Sequence, residues 1–436
     1  MDNKKFEIRN LKGTFDFLPE KQYVRNKIID VLKTNFEQYG YLPLETPILN
    51  EFDLLKYKYQ EGAEILNEIY RLTDQGKRDI GLRYDLTVPF CKVIALNKDL
   101  TMPFRRYEIG RVFRDGPVKA GRTREFYQCD VDVVGVDGRY IEVEQMQMVA
   151  KVFAQLNINV AIKWNNRKLM TGILQYFGFN ETEIDDAISL IDRLEKISKK
   201  ELLEEFEKHN LDENKVDELL NLFSKSLTEY KVLADSSENQ NFKDGVSECL
   251  EVEKYIQKLN LDNICVFSPT LARGLGIYTG TVFEFFDRDG RISSSLGGGG
   301  RYNKIITNFM NNGQEYPACG LSFGLEPIYY ILAESVAPSF VDVLVVPMNT
   351  EIESMQLAEN LRKVGARVVV ELAGRKVKKA FEYANKQNIK YVMVVGENEI
   401  SSGLYSIKDM EKGEQQSLTL GEIINIFSKK INIDKI

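Results

Sequence analysis

Histidine is almost missing from this chain. His209 is the only one among 436 residues, inside the charge-rich stretch "EEFEKHNLDE", where a solvated surface side chain is expected. This scarcity all but excludes Ser-His-Asp catalysis and histidine-ligated metals. The five cysteines, at 91, 129, 249, 265 and 319, are odd in number and never spaced C-x-x-C. Neither a disulfide scaffold nor a cysteine zinc site is expected from them. No run of about eighteen apolar residues occurs, which argues against a transmembrane helix. The first ten residues, "MDNKKFEIRN", lack an apolar signal core, so a cytoplasmic protein is expected. A net charge of −7 leaves no whole-chain basic footprint for nucleic acid, although local patches are still possible. Carboxylates, arginines, glycine loops and backbone dipoles are left to carry any chemistry.

The chain is long enough for roughly two to four domains. Val24, Ile28, Val31, Leu32 and Phe36 fall at helical spacing within 21–39, and Gly40 follows as a stop. "YLPLETPIL" alternates like a strand closed by Pro47. "EIYRLTDQGKRDIGLRYDLT" predicts a hairpin around Gly76 and a strand ending near Thr87. "RRYEIGRVFRD" and "REFYQCDVDVVG" predict two strands joined by a basic loop, with a helix after them at 140–156. From 167 to 262 the texture turns to Lys, Glu, Asp and Leu at helical spacing, as in an inserted helical module. After a short linker near 336, three apolar runs alternate with two helical stretches, a β-α-β-α-β pattern for a small parallel-sheet domain.

Five stretches stand out. Residues 104–126 carry seven Lys/Arg against three acids, and Arg124, Phe126, Gln128, Asp130 and Asp132 share one strand parity. Arg114, Gln128 and Asp132 can therefore converge on one face. An ordinary charged hairpin is the bland alternative, but polar groups beside a Phe need partners. In "LRYDLTVP", Asp85 and Thr87 would share a strand face suited to an ammonium, or simply cap a strand end. "SSSLGGGGRYN" allows close backbone approach to a ligand, or is a flexible loop. "ACGLSFGLEPIYYILAE" passes from strand to a helix starting near Leu325, whose N-terminus suits an anion. "ELAGRKVKKAFEYANKQNIK" has six Lys/Arg against two Glu, with Lys376, Lys379 and Tyr383 on one helix face. That face suits either solvent or an RNA backbone.

In this order the segments resemble class II aminoacyl-tRNA synthetases, specifically the histidyl-tRNA synthetase family. "YGYLPLETPIL" is similar to motif 1, "FRDGPVKAGRTREFYQCDVDVVG" to motif 2, and "GLSFGLEPI" to motif 3. "ARGLGIYTGTVFEFF" resembles the histidine-specific arginine segment, and the likeness runs from about 10 to 430. It implies an α+β catalytic domain over 1–335, built on an antiparallel six-stranded sheet flanked by helices and carrying the 167–262 insertion. An α/β anticodon-binding domain would occupy 340–436. Implied too are a homodimer through motif 1, ATP and Mg2+, L-histidine and histidine tRNA. The reaction would be formation of histidyl-adenylate, then transfer to the tRNA 3′ end. A non-catalytic paralogue that binds histidine or tRNA for regulation is the alternative.

Carried onto this chain, the resemblance makes Arg273 and Arg114 the catalytic arginines at carboxylate and α-phosphate. Asp85, Thr87 and Gln128 would hold the ammonium, while Asp132 and Tyr278 would read the imidazole beside Leu86 and Ile277. ATP would meet Arg114, Arg122, Phe126 and Gly324. The tRNA would meet Lys119, Arg122, Lys376 and Lys379. No side-chain metal ligand set is assigned. Two departures stand out: Gly276 and Ile277 replace a polar residue and a Tyr, and Pro327 replaces the motif 3 arginine that grips the γ-phosphate. Arg122, Arg124 and Arg301 are the candidates to replace that charge.

Overall fold

The structure, a computed structural model, describes residues 7–57, 64–118, 122–194, 199–207, 213–272, 277–333 and 339–433. It divides into two compact units, Met1–Ser335 and Val336–Ile436.

The first unit opens with α1 (Pro19–Gln38), which buries Val24, Ile28, Leu32 and Phe36 as one stripe. Gly40, at φ +76°, reverses the chain after it. A two-residue strand β1 (Leu42–Pro43) and β2 (Leu49–Glu51) stand where the sequence predicts one longer strand. Pro43 and Pro47 lack the N–H that a continuous ladder needs, so pairing breaks between them. The short helix α2 (Phe52–Lys56) leads to the hairpin β3 (Arg71–Thr73) and β4 (Asp79–Leu82), and β4 also pairs with β2.

The strand predicted to end near Thr87 stops at Leu82, and Thr87 instead begins α3 (Thr87–Leu96). Asp85 and Thr87 thus share no strand face. Asp85 Oδ1 accepts from Val88 N at 3.0 Å, capping the new helix, and Pro89 in its first turn needs no donor.

Strands β5 (Phe104–Phe113) and β6 (Glu125–Val134) follow as predicted, then α4 (Tyr140–Gln155) and β7 (Val160–Asn166). Next come α5 (Arg167–Phe177), α6 (Ile184–Ile191), α7 (Lys199–Glu207), α8 (Glu213–Leu222), α9 (Leu227–Asp235) and α10 (Gln240–Lys258), an uninterrupted helical stretch among the described residues. The chain returns through β8 (Cys265–Phe267), β9 (Thr281–Asp287), β10 (Gly297–Arg301), α11 (Asn303–Met310), β11 (Ala318–Gly324) and α12 (Leu325–Leu332). The glycine run is therefore a strand, not a loop.

The main sheet has the order β1-β5-β6-β11-β10-β9-β7-β8. Its inner six strands, β5 to β7 in that order, are all antiparallel, and β1 and β8 add to its edges in parallel. One face packs on α1 and α4 through Phe36, Phe153, Phe285 and Phe323, whose rings meet at 5.1–5.9 Å. On the opposite face, Gln128, Asp130 and Asp132 of β6, Gly298 and Gly300 of β10 and Gly320 and Ser322 of β11 leave the middle of the sheet free of bulky apolar side chains, between Phe126 at one end and Val134 and Ala318 at the other.

In the second unit β12 (Val343–Pro347), α13 (Glu351–Lys363), β13 (Val368–Val370), α14 (Val377–Lys386) and β14 (Tyr391–Val395) realise the predicted parallel β-α-β-α-β core. The continuation is not legible in the sequence. After α15 (Glu397–Ser402), β15 (Leu404–Asp409) and β16 (Gln415–Thr419) add in antiparallel fashion, and α16 (Leu420–Ile433) closes the chain. These two strands carry mostly polar, half-exposed residues and so lack an apolar run. Among the described residues no helix is long and apolar enough to cross a membrane.

Candidate active site

The unfilled sheet face is built in rows. Arg106 on β5, Asp132 on β6, Gly320 on β11 and Gly300 on β10 align across the sheet. One row along lie Glu108, Asp130, Ser322 and Gly298. A side chain at 320 would meet Asp132 Oδ1 at 2.0 Å from its Cβ, so only glycine lets that carboxylate lie over β11. The strands thus present carboxylates and arginines where a core would normally be apolar.

Most of these charges are matched. Arg106 Nη2 lies 2.7 Å from Asp132 Oδ2, and the Tyr302 hydroxyl donates to Asp132 Oδ1. Arg83 Nη1 lies 2.8 Å from Glu108 Oε1, which also accepts from Thr46 N at 3.0 Å. Burial this deep leaves a charge stable only when paired.

Above the rows lies a small cavity. Asp85, Thr87, Arg114, Gln128, Asp132, Ile277 and Tyr278 all border it, which brings seven of the predicted residues together. Leu86 is different: its side chain is fully buried, and its carbonyl accepts from Arg106 Nη2 at 3.1 Å. Ile277 also packs into the apolar cluster of Phe90, Ile94 and Tyr302. Arg273, Gly276 and Lys119 lie outside the described residues, as does His209.

A second cavity adjoins the first. Arg114, Arg122, Phe126 and Gly324 line it with Glu68 and Pro327. Arg114 borders both cavities. Its guanidinium is sandwiched 4.2 Å from the Tyr84 ring centroid and 4.8 Å from that of Phe126, which fixes a mobile cation in place.

Pro327 lies on the wall of that second cavity. Its neighbour Glu326 is already engaged, bound by Arg25 Nη2 at 2.8 Å and by Tyr127 N at 3.2 Å. Of the three arginines considered as substitutes, only Arg122 lines the cavity. Arg301 is 1% exposed and locked by Nε to Glu142 Oε1 at 2.7 Å and by Nη1 to Val136 O at 2.9 Å. It is a structural ion pair between β10 and α4, and that removes it from contention. Arg124 lies 3.2 Å from Asp115 and packs by Cγ and Cδ where a side chain on Gly13 would sit.

Burial pushes the Asp130 carboxyl up to about 7, lowered by Arg106 and raised by Asp132. Burial likewise raises the carboxyls of Glu142 and Glu326, each partly offset by its arginine. The Tyr84 hydroxyl is pushed up to about 12, again chiefly by burial. Among the described residues no group of three or more His, Cys, Asp or Glu could hold a metal ion.

Tyr302, Ser322, Glu68 and Asp130 border the cavities but were not assigned from sequence. Asp130 was visible in the strand parity of β6. The others reach the site only through pairing across the sheet or from another loop.

In the second unit, Lys376 is the N-cap of α14 rather than a residue of its face. Lys376 and Lys379 are both exposed, and the first turn of α14 carries no acid. Cations at a helix N-terminus oppose its dipole, so this arrangement is favourable only beside an anion. Arg375 stacks 4.4 Å over the Tyr383 ring.

Residues 13–328 match the histidyl-tRNA synthetase family and residues 342–430 the anticodon binding domain. The histidine–tRNA ligase 1 of Bacillus anthracis is 45% identical over 96% of this chain and 99% of its own length. The histidine–tRNA ligase of Clostridium tetani is 34% identical over 95% of this chain and 97% of its own. Among solved structures, the histidyl-tRNA synthetase from Nostoc sp. PCC 7120 superposes with a TM-score of 0.86 at 29% identity, covering 98% of this chain and 100% of that one. On these matches, nearly end to end, the chain belongs to the histidyl-tRNA synthetase family.

Proposed function

We propose that the protein is an ATP-dependent histidine–tRNA ligase, and that the two adjoining cavities hold its amino acid and its nucleotide. The observation that carries this reading is Arg114, held between two aromatic rings and bordering both cavities. That is where a carboxylate and an α-phosphate must meet.

Histidine binds with its carboxylate towards Arg114 and Arg273 and its ammonium towards Asp85, Thr87 and Gln128. Asp132, oriented by Arg106 and Tyr302, accepts from the imidazole beside Tyr278. ATP lies over Phe126 and Gly324, with Arg122 near its phosphates. Glu68, on the wall of the same cavity, would be the carboxylate available to the Mg2+ that accompanies ATP, whose charge would offset that of the phosphates. The substrate carboxylate is already ionised, so no general base is needed. One of its oxygens attacks the α-phosphorus as the bond to pyrophosphate breaks. The arginines stabilise the negative charge that spreads over the phosphate, and alignment supplies much of the rest. The terminal ribose hydroxyl of the tRNA then attacks the acyl carbon, and AMP leaves.

The basic start of α14 fits the tRNA backbone, and Arg122 and Lys119 the acceptor end. Leu42, Ile48, Leu49 and Leu72 are exposed around β1 to β3, an apolar surface suited to a second copy of the chain through motif 1. Pro327 supplies no charge for the γ-phosphate, and Arg122, on the wall of the same cavity, takes that role. A cytoplasmic location follows from tRNA charging. Histidine-dependent ATP–pyrophosphate exchange, followed by charging of histidine tRNA, tests the reading. No histidine-dependent exchange in folded protein would point to the regulatory paralogue.

A further inference from the structure

Asp130 sits in the middle of the cavity floor and has no role in the mechanism above. It is 4% exposed and borders the amino-acid cavity. Among the described residues its Oδ1 has no hydrogen-bond partner, and neither has Gln128 Oε1, two positions along the same face of β6. Two acceptors side by side, facing a cavity and unmatched by protein donors, call for a ligand with several N–H groups.

The surrounding charges say why a cation is wanted. Towards Asp130, β5 presents Arg106 and Glu108, β6 presents Asp132, and the turn before α3 presents Asp85. β11 presents uncharged Ser322, which gives Asp130 a hydrogen bond. Arg106 is matched by Asp132, and Arg83 behind it by Glu108. Arg114 lies at the junction of the cavities, against Tyr84 and Phe126. Arg106 and Arg83 thus each pair with another carboxylate, Arg106 acts on Asp130 only from beyond ion-pair distance, and among the described residues no ion pair holds Asp130.

Building on the histidine–tRNA ligase reading, we propose that Asp130 is a further substrate-binding residue, which carries a proton before the amino acid binds and gives it up when the substrate ammonium arrives. The balance is simple: a neutral carboxylic acid and an ammonium become a carboxylate–ammonium pair with Gln128 as second acceptor, and one proton goes to solvent. The position of Asp130, pushed up to about 7 by burial, puts this exchange in the working range. The sign follows. Affinity for histidine rises with pH until Asp130 is ionised without help, and below that falls by at most about tenfold per pH unit.

The test is calorimetry of L-histidine binding to the full-length protein at pH 6.5, in buffers of different ionisation heat. The substrate imidazole titrates nearby, so D130N is the reference; the amide keeps the shape and the Ser322 contact. The wild type should release up to about one more proton per histidine than D130N, and D130N should bind histidine roughly tenfold more weakly above pH 7. Equal proton counts with equal affinity overturn the proposal. Infrared difference spectra of the wild type give a check that needs no variant: a protonated-carboxyl band should disappear on adding histidine, and its persistence overturns the proposal. The function reading is read separately, because wild-type protein lacking histidine-dependent exchange fails that reading, whereas normal exchange with unchanged D130N behaviour fails only Asp130.

Discussion

Arg106 Nη2 stands 2.7 Å from Asp132 Oδ2, with both side chains at most 6% exposed. Asp132 borders the cavity proposed for the amino acid, and the pair fixes the carboxylate that would read the substrate. Removing the cation alone strands a buried anion, so Arg106→Met should cost about 3–5 kcal/mol in chemical denaturation. A loss below about 1 kcal/mol would show that Asp132 finds another partner.

Tyr302 gives a milder probe of the same carboxylate, because its hydroxyl donates to Asp132 Oδ1. Tyr302→Phe keeps the ring in its apolar cluster and removes one bond to a charged acceptor. The KM for histidine in pyrophosphate exchange should rise about tenfold, with the KM for ATP unchanged. Equal changes in both would mean that the hydroxyl supports the fold and not the amino-acid site.

Stability should respond to Asp130 in the opposite sense to binding. Its carboxyl is raised to about 7 in the folded state, above its ordinary value near 3.9. The folded protein therefore holds a proton that the unfolded chain releases. The resulting stability is complete below about pH 4 and is lost as the pH climbs to 7. Asp130→Asn should be more stable than the wild type at pH 8 by roughly 1–4 kcal/mol, and the difference should vanish towards pH 4. Melting temperatures across that range check the sign.

The proline at the motif 3 position offers a gain-of-function test. Pro327 lies in the first turn of α12, where its missing N–H costs no helical hydrogen bond, and it lines the second cavity. Pro327→Arg would add a guanidinium facing the nucleotide phosphates. The KM for ATP should fall by up to about tenfold while that for histidine stays put. An unchanged KM for ATP would mean that Arg122 already supplies the charge.

In the second unit, replacing Lys376 and Lys379 together by Glu should raise the KM for tRNA in charging and leave pyrophosphate exchange intact. The reversed charge also suits the helix dipole, so the melting temperature should not drop. A parallel fall in exchange would remove α14 from the tRNA surface.

Much of this architecture could be read from spacing. The parity of Gln128, Asp130 and Asp132 along β6 placed three polar groups on one face, and the structure finds all three on the cavity floor. Helical periodicity likewise located α1, α4 and the stretch from α5 to α10. Local signals failed where tertiary partners decide. Asp85 looked like a strand residue because "LRYDLT" alternates, yet its carboxylate caps α3. Arg301 looked available beside four glycines, but Glu142, 159 residues away in sequence, holds it. Its burial comes from the packing of α4 on the sheet, and nothing in "GGGGRYN" encodes that. The polar hairpin β15–β16 escaped because an edge added to a finished sheet needs no apolar run.

The most direct test is the rate of histidine-dependent ATP–pyrophosphate exchange in the wild type and in Arg114→Ala. The account predicts exchange that requires histidine and falls by about a hundredfold or more in the variant, as for one lost contact to transition-state charge. Exchange that survives without Arg114, or that another amino acid supports as well as histidine, would contradict it.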